Sequence, residues 1–141
     1  MAYDRFRKDL DETGIPTEIA ALERIHLYID KTAYRIEGKD CEKDIVCPIN
    51  SERYEVKYGN KGVINFSVEV SINGKPSGLR VTKADWWIIY AKNKFFVIDI
   101  MVLNGLCNNL QETGYEIDGN MVGLKLLSLN DLRDNVKVIW D

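Results

Sequence analysis

The sequence has few of the residues from which several common kinds of site are built. It has 3 cysteines, none of them in a CxxC pair, and a single histidine, His26. An odd number of unpaired cysteines predicts reduced thiols, and it gives no sign of a zinc site or a disulfide framework. One histidine cannot form a histidine-based catalytic array alone, so we interpret His26 as a packing residue.

Long hydrophobic runs are also missing. No apolar run approaches the roughly 18 to 20 residues that a membrane span needs, and the N-terminal segment is charged where a signal peptide is apolar. We therefore expect an intracellular (cytoplasmic) protein with no membrane partner. With 141 residues, 45% of them hydrophobic, the chain suits one complete core and is too short for two ordinary domains. A single domain over residues 1–141 is predicted.

An overall excess of basic charge, common in nucleic-acid-binding proteins, is absent as well. The formal net charge is −3. The charges are unevenly distributed, however, because residues 51–100 contain 8 Lys and Arg against 5 Asp and Glu, whereas residues 1–50 contain 8 against 11. The middle of the chain is therefore where contact with a nucleic acid is expected.

Hydrophobic periodicity predicts a mixed α/β (α+β) fold. Apolar residues at steps of three and four indicate an amphipathic helix over residues 16–30. Strand-like runs follow at 44–49, 53–58 and 63–72, separated by turn signals, and we expect a three-stranded antiparallel meander. In the last of these runs Val68, Val70 and Ile72 alternate with Ser67, Glu69 and Ser71, which predicts one apolar and one polar face.

The second half of the chain predicts further strands in a mixed sheet, together with helices. A helix or turn is expected at 79–85, and strands at 86–90 and 95–98. Asp99 can cap a helix from Met101 to about Gln111. A strand at 122–127, a turn at 129–132 and a last strand ending at Trp140 complete the expected elements.

One stretch places carboxylates and a lysine in a pattern that suits metal chemistry. Asp44 opens one predicted strand, and Glu55-Val56-Lys57 lies in the next. Because side chains alternate along a strand, Glu55 and Lys57 share a face, and the neighbouring strand supplies Asp44. Two carboxylates, a backbone carbonyl such as that of Val56, and waters suit Mg²⁺, for which Mn²⁺ can substitute.

Two carboxylates that hold a divalent cation, with a lysine on the same face, are the components of a metal-dependent hydrolase. The metal would polarise a scissile phosphate and lower the pKa of a bound water. Lys57 would orient that water or help to deprotonate it, and would offset charge in the transition state.

The pattern Asp44…Glu55-Val56-Lys57 resembles the signature of the PD-(D/E)XK nuclease superfamily. The expected order of helix, three strands, helix and strand is similar to that superfamily's restriction-endonuclease-like core. Lys43 stands where the signature has a proline, which is a departure from it. The resemblance covers about residues 17–100 and implies a metal-dependent DNA endonuclease with Asp44, Glu55 and Lys57 as its catalytic core.

Two further segments carry the resemblance to particular members. Glu23-Arg24 in the first helix resembles an acidic position of Holliday-junction-resolvase-like members. Asn65…Glu69 with residues 76–86 resembles a block of phage- and intron-associated homing or restriction-type members, although Ile64 stands where that block often has glycine. The resemblance thus adds Glu23 and Glu69 as acids near the metal; each is alternatively a solvent-exposed or ion-paired glutamate.

A polar block downstream of the third predicted strand suits contact with the DNA backbone. Cations and hydroxyl groups beside the start of a short helix can hold phosphates near a metal. The candidates for DNA binding are Lys75, Ser77, Arg80, Thr82 and Lys83.

Several alternatives stay open at this point. The substrate is either branched DNA or a specific DNA site. The chain is alternatively a catalytically inactive nucleic-acid-binding module on the same fold, or an unrelated α/β binding domain in which the motif is accidental. A homo-oligomer, at least a dimer, is expected for the nuclease, because cutting two strands requires two metal sites and residues 101–141 are rich in apolar side chains.

Overall fold

The fold is described from a computed structural model, which covers residues 15–36, 44–59 and 64–141. Within those ranges the helices are α1 (Ile15–Tyr28), α2 (Ile100–Cys107) and α3 (Leu129–Asn135), with a 3-10 turn at Gly78–Arg80. The strands are β1 (Tyr34–Arg35), β2 (Asp44–Cys47), β3 (Glu52–Tyr58), β4 (Asn65–Ile72), β5 (Lys75–Pro76), β6 (Trp86–Ala91), β7 (Lys94–Asp99), β8 (Thr113–Ile117), β9 (Asn120–Ser128) and β10 (Val138–Trp140). The predicted α+β class is confirmed.

The strands form two sheets. The larger has the order β1-β2-β3-β6-β7-β10, and the smaller has the order β5-β4-β9-β8. All neighbouring strands are antiparallel except β3 and β6, which pair in parallel. The larger sheet is therefore mixed, as expected, and the smaller one is antiparallel.

The three-stranded meander is wrong, because the third predicted strand leaves the larger sheet. β4 pairs with β5 and β9, and the strand beside β3 is β6. Ile88 and Ile89 of β6 are both fully buried, one on each face of the strand, which suits the interior of a sheet that is covered on both sides. Strands and a 3-10 turn thus connect β3 to β6, where the restriction-endonuclease-like order has a helix.

Each face of the larger sheet is covered by a different layer. One face packs against α1 in a core cluster that includes Ala21, Ile25, Ile45, Tyr54, Val56, Ile88 and Val97. The other packs against the smaller sheet, α2 and α3 in a cluster that includes Phe66, Val68, Val70, Trp87, Ile89, Phe96, Ile98, Leu103, Leu127 and Leu132. Alternation along β3 therefore directs Val56 towards α1 and its neighbours Glu55 and Lys57 away from that helix.

A β-bulge interrupts the predicted alternation of β4. The pairing of β4 with β9 shifts between Glu69 and Ser71. An extra residue at a bulge moves the following side chains to the opposite face. Ser71 is consequently 7% exposed and Ile72 36% exposed, so the prediction is wrong for these two residues and correct for Val68 and Val70.

Short turns join several of the strands and match the turn residues in the sequence. Both turn residues have positive φ at Asn73-Gly74, Lys92-Asn93 and Asp118-Gly119. Two residues of positive φ are characteristic of the tight type I′ turn, whose twist matches that of paired strands.

The C-terminal third differs from expectation in three elements. Asp99 caps α2 as predicted, accepting a 2.7 Å hydrogen bond from the Met101 N–H, but the helix ends at Cys107. The predicted turn at 129–132 is part of α3, which Ser128 caps. β8 was not predicted, because all five of its residues are exposed and no apolar alternation marks it.

Some expectations concern the cysteines, membrane-spanning helices and the start of the third predicted strand. Cys47 and Cys107 are buried free thiols, whereas Cys41 and Val63, the start of the third predicted strand, lie outside the described residues. None of the helices in the described ranges combines the length and the apolar character needed to cross a membrane.

Candidate active site

One cavity brings together most of the residues predicted to carry chemistry. Its volume is about 390 Å³. It is lined by Asp44, Glu55, Lys57, Glu69, Gly78, Val81, Thr82 and Lys83. The larger sheet supplies the first three residues, β4 of the smaller sheet supplies Glu69, and the segment before β6 supplies the others.

The two carboxylates of the predicted core stand opposite each other. Asp44 and Glu55 are register partners in the antiparallel pair of β2 and β3, so their side chains project from the same face. The side chain of Asp44 is 8% exposed and that of Glu55 is 19% exposed. Burial, and secondly the negative charge of Glu55, raises the pKa of Asp44 above its ordinary value of 3.8.

Each carboxylate also has a cation beside it. Arg53 Nη2 lies 3.2 Å from Asp44 Oδ2, and Lys57 Nζ lies 3.2 Å from Glu55 Oε2. These positive charges lower the pKa of Asp44, but burial and Glu55 outweigh them. Sequence reasoning missed Arg53, although its place two residues before Glu55 on the same strand puts it on the same face.

One carboxylate oxygen in the cavity has an ion-pair partner but no hydrogen bond. Glu55 Oε2 is buried and lies 3.2 Å from Lys57 Nζ, yet no hydrogen bond reaches it within the described part of the chain. A buried acceptor without a hydrogen bond is costly, and Lys57 offsets only part of that cost through its charge. A divalent cation held by Asp44 and Glu55 would add a stronger partner and relieve the repulsion between the two carboxylates.

The ligand set favours a metal that keeps several waters. Among the described residues, no three His, Cys, Asp or Glu side chains converge as a complete metal-binding group. Mg²⁺ characteristically uses one or two carboxylates, with waters and substrate phosphates as its other ligands. The pair of Asp44 and Glu55 therefore fits Mg²⁺ better than a metal that needs an all-protein set.

The Lys57 ammonium is held in place from two sides. Besides the contact with Glu55, its Nζ lies 4.9 Å from the centroid of the Trp87 ring. A cation over an aromatic face is attracted by the ring's negative face. The side chain is 25% exposed, so its charge reaches the cavity from a restrained position.

The Thr82 hydroxyl can donate a hydrogen bond to a ligand in the cavity, because its oxygen already accepts two. Its Oγ1 accepts hydrogen bonds from the Ala84 N–H at 3.2 Å and from the Trp87 ring N–H at 3.3 Å. A hydroxyl oxygen has two acceptor sites and one O–H donor, so the Thr82 O–H remains available for a bound anion. Lys83 beside it is exposed and adds a positive charge to this wall.

Glu23 is not brought to the cavity, contrary to expectation. Its side chain is 69% exposed, and it lies 3.8 Å from the guanidinium of Arg24. α1 packs through Ala21 and Ile25 on the face of the larger sheet opposite Asp44 and Glu55. A side chain on that helix therefore lies across the sheet from this cavity.

Three of the predicted DNA contacts also lie outside the cavity lining. Lys75 is exposed on β5, and Ser77 donates its backbone N–H to the Val70 carbonyl at 3.0 Å. Arg80 forms a 2.7 Å ion pair with Glu112.

Val56, a predicted metal ligand, is 4% exposed with its side chain in the core. Its backbone carbonyl is therefore the only group of this residue that could bind a metal.

Comparison of the chain with protein-family models, with curated proteins and with solved structures finds no match. The interpretation of the cavity therefore depends on the chemistry of its own residues.

The raised pKa of Asp44 predicts that Asp44→Asn is more stable than the wild type without metal and gains less stability from Mg²⁺. Ionised Asp44 is disfavoured in the fold, so Asp44→Asn should raise the melting temperature at pH 7 without metal. That gain should vanish as the pH falls below 3.8, where wild-type Asp44 is protonated. Mg²⁺ at a hundredfold excess over Kd should stabilise the wild type by about 2.7 kcal/mol and the variant much less.

Thermal unfolding at several Mg²⁺ concentrations checks both parts. Asp134→Asn, which changes an exposed acid on α3, is the matched control and should keep the full response to Mg²⁺. An equal Mg²⁺ response in Asp44→Asn would remove Asp44 from the metal site.

Proposed function

We propose that the protein is a Mg²⁺-dependent DNA endonuclease, with Asp44, Glu55 and Lys57 as its catalytic core. The observation that carries the proposal is the meeting of these three side chains with Glu69, Thr82 and Lys83 in one cavity. Their chemistry is complementary, because the acids suit a divalent cation and the other groups suit a phosphate.

In the proposed reaction, Asp44 and Glu55 hold the metal, with the Val56 carbonyl as a further predicted ligand. When bound, the metal supplies Lewis-acid activation of the phosphate and of the attacking water. Lys57 orients that water and offsets the negative charge that develops on the phosphorus oxygens. Glu69, which β4 of the smaller sheet contributes to the cavity, adds a carboxylate that can accept a proton from the water.

The DNA backbone is proposed to bind along the wall formed by Thr82 and Lys83. The hydroxyl donor of Thr82 and the ammonium of Lys83 suit phosphate oxygens, which position a duplex without reading its sequence. Both belong to the basic middle of the chain, residues 51–100. The proposed substrate is DNA, either branched or at a specific site.

A binding domain without catalysis is the second candidate. It is favoured by the ion pairs themselves, since Asp44 and Glu55 each have a cationic neighbour at 3.2 Å. In that case the cavity residues form a structural network of charges, and Mg²⁺ has no specific effect.

Cleavage assays distinguish the two candidates. The purified protein should cut plasmid or branched DNA in Mg²⁺ and not in EDTA. Lys57→Ala should lower the cleavage rate by about 10²-fold or more, the scale expected when a group that stabilises charge in the transition state is lost, without unfolding the protein.

Lys137→Ala is the matched control, because Lys137 Nζ lies 4.8 Å from the centroid of the Trp86 ring and makes a similar cation–π contact outside the cavity. It should cleave at the wild-type rate. Wild-type cleavage by Lys57→Ala, or activity unaffected by EDTA, would contradict the proposal.

We also propose that the enzyme acts as a homodimer. A double-strand cut needs two metal sites, and the described part of each chain contains one candidate site. Of the apolar residues of the C-terminal third, Met101, Val102, Met121 and Leu126 are 83%, 41%, 52% and 43% exposed, whereas Leu103 and Leu127 are buried. Exposed apolar side chains beyond those needed for the core suit a subunit contact.

The dimer is tested by light scattering at micromolar protein, with and without DNA. A mass of twice the 16.2 kDa chain is expected. A single chain per particle in both conditions, with a mass of 16.2 kDa when DNA is absent, would refute the dimer and leave the nuclease proposal intact.

A further inference from the structure

The wall of the cavity that carries Thr82 and Lys83 has few backbone hydrogen bonds of its own. We call residues 78–83 the cavity loop. Its 3-10 turn is closed by hydrogen bonds from Arg80 N–H to the Ser77 carbonyl and from Val81 N–H to the Gly78 carbonyl. So short an element does not by itself fix where Thr82 and Lys83 stand relative to Asp44 and Glu55.

The first residue of the cavity loop, Gly78, lies directly against the backbone of β4. Gly78 has a φ of +53°, and a Cβ there would lie 2.2 Å from the Glu69 carbonyl oxygen. Only glycine allows so close an approach in this conformation. The backbone of the loop thus begins against a strand that lines the same cavity.

Further along, a side chain from a distant part of the chain holds the loop. Glu112, just before β8, accepts a 2.7 Å hydrogen bond from Arg80 through Oε1 and a 2.8 Å hydrogen bond from the Ser71 hydroxyl through Oε2. The hydrogen bond from Ser71, followed by that from Arg80, lowers the pKa of Glu112. Glu112 is therefore ionised at neutral pH and links the loop to β4.

The smaller sheet leaves room for this link. Gly123 on β9 is the register partner of Ser71. A Cβ at Gly123 would lie 2.0 Å from Ser71 Oγ and 2.4 Å from Glu112 Oε2. The bulge in β4 turns Ser71 to this side, and the glycine opposite it makes space for the carboxylate.

We infer that Glu112 is a positioning residue of the proposed nuclease, which holds the cavity loop through Arg80 so that Thr82 and Lys83 face Asp44 and Glu55. The inference rests on the proposed function. It also changes the part played by Arg80, which anchors the loop to Glu112 and does not contact the DNA backbone.

Glu112→Gln distinguishes the two possible roles of Arg80, phosphate contact and loop anchoring, because the two roles predict opposite changes in DNA affinity. If Arg80 contacts phosphate, removing its carboxylate partner frees a positive charge and should strengthen DNA binding. If Glu112 positions the loop, the same substitution should weaken DNA binding. We expect about a threefold to fivefold increase in the Kd for DNA, measured in Ca²⁺ in place of Mg²⁺, the scale for losing an ion pair whose side chains are 43% and 35% exposed.

A readout that does not need DNA accompanies the binding measurement. Amide hydrogen exchange of residues 78–84 should be faster in Glu112→Gln than in the wild type, because the loop is released from its anchor. Glu116→Gln is the matched control, since it removes one exposed acid from β8 and should change neither the exchange nor, beyond a slight strengthening, the Kd.

A charge swap tests the link itself. Arg80→Glu alone should weaken DNA binding, and adding Glu112→Arg should restore both slow exchange and the wild-type Kd. Lys83→Ala should weaken binding and flatten its salt dependence without faster exchange.

The result that overturns the inference is tight DNA binding with unchanged exchange in Glu112→Gln, or a swap that stays as defective as Arg80→Glu. If the wild type neither binds nor cuts DNA, the proposed function fails, and the positioning role fails with it. Hydrogen exchange then still decides whether Glu112 holds the loop.

Discussion

Asp44 and Glu55 are two carboxylates that adjacent antiparallel strands force to face each other with little access to water. Their register fixes this arrangement, because Asp44 and Glu55 are direct partners between β2 and β3. Arg53 and Lys57 reduce the repulsion, yet burial and Glu55 still raise the pKa of Asp44. Glu55 Oε2 has Lys57 as an ion-pair partner but no hydrogen bond among the described residues. Such a pair of carboxylates disfavours folding, and a bound divalent cation would offset that cost.

The rest of the fold keeps these carboxylates in register and encloses them. β3 lies inside the larger sheet, between β2 and β6, so its position is fixed on both sides. α1 covers one face of that sheet, and the smaller sheet covers the other. The site then lies where the polar face of β3 meets β4 and the cavity loop, which together supply Glu69, Thr82 and Lys83. Binding sites on rigid strands hold their geometry better than sites on loops, and the loop that contributes here is linked to Glu112 through the ion pair of Arg80.

Local patterns in the sequence were sufficient to predict much of this arrangement. Alternation along β3 placed Glu55 and Lys57 on one face, and a hairpin brought Asp44 beside them. Turn residues such as Asn73-Gly74 marked the strand ends. These features depend on neighbours in the sequence, and sequence patterns report such neighbours well.

The features that could not be predicted depend on partners that are distant in the sequence. β4 joins the smaller sheet because it pairs with β9, about fifty to sixty residues further along the chain, and the bulge that buries Ser71 occurs in that pairing. The sequence places Glu23 on a helix but does not say which face of the sheet that helix covers. The sequence predicts Arg80 as a DNA contact, whereas the fold places Glu112 beside it, 32 residues further along the chain. β8 has no apolar pattern because all five of its residues are exposed.

The central claim is that Asp44 and Glu55 together bind a divalent cation. Crystals grown in Mn²⁺ test it most directly, since the anomalous scattering of Mn²⁺ locates the metal independently of any assay. The account predicts an anomalous peak coordinated by oxygens of both Asp44 and Glu55, and no peak there in crystals of Glu55→Gln. A cavity that stays without metal at millimolar Mn²⁺, with Arg53 and Lys57 still paired to the two carboxylates, would contradict it.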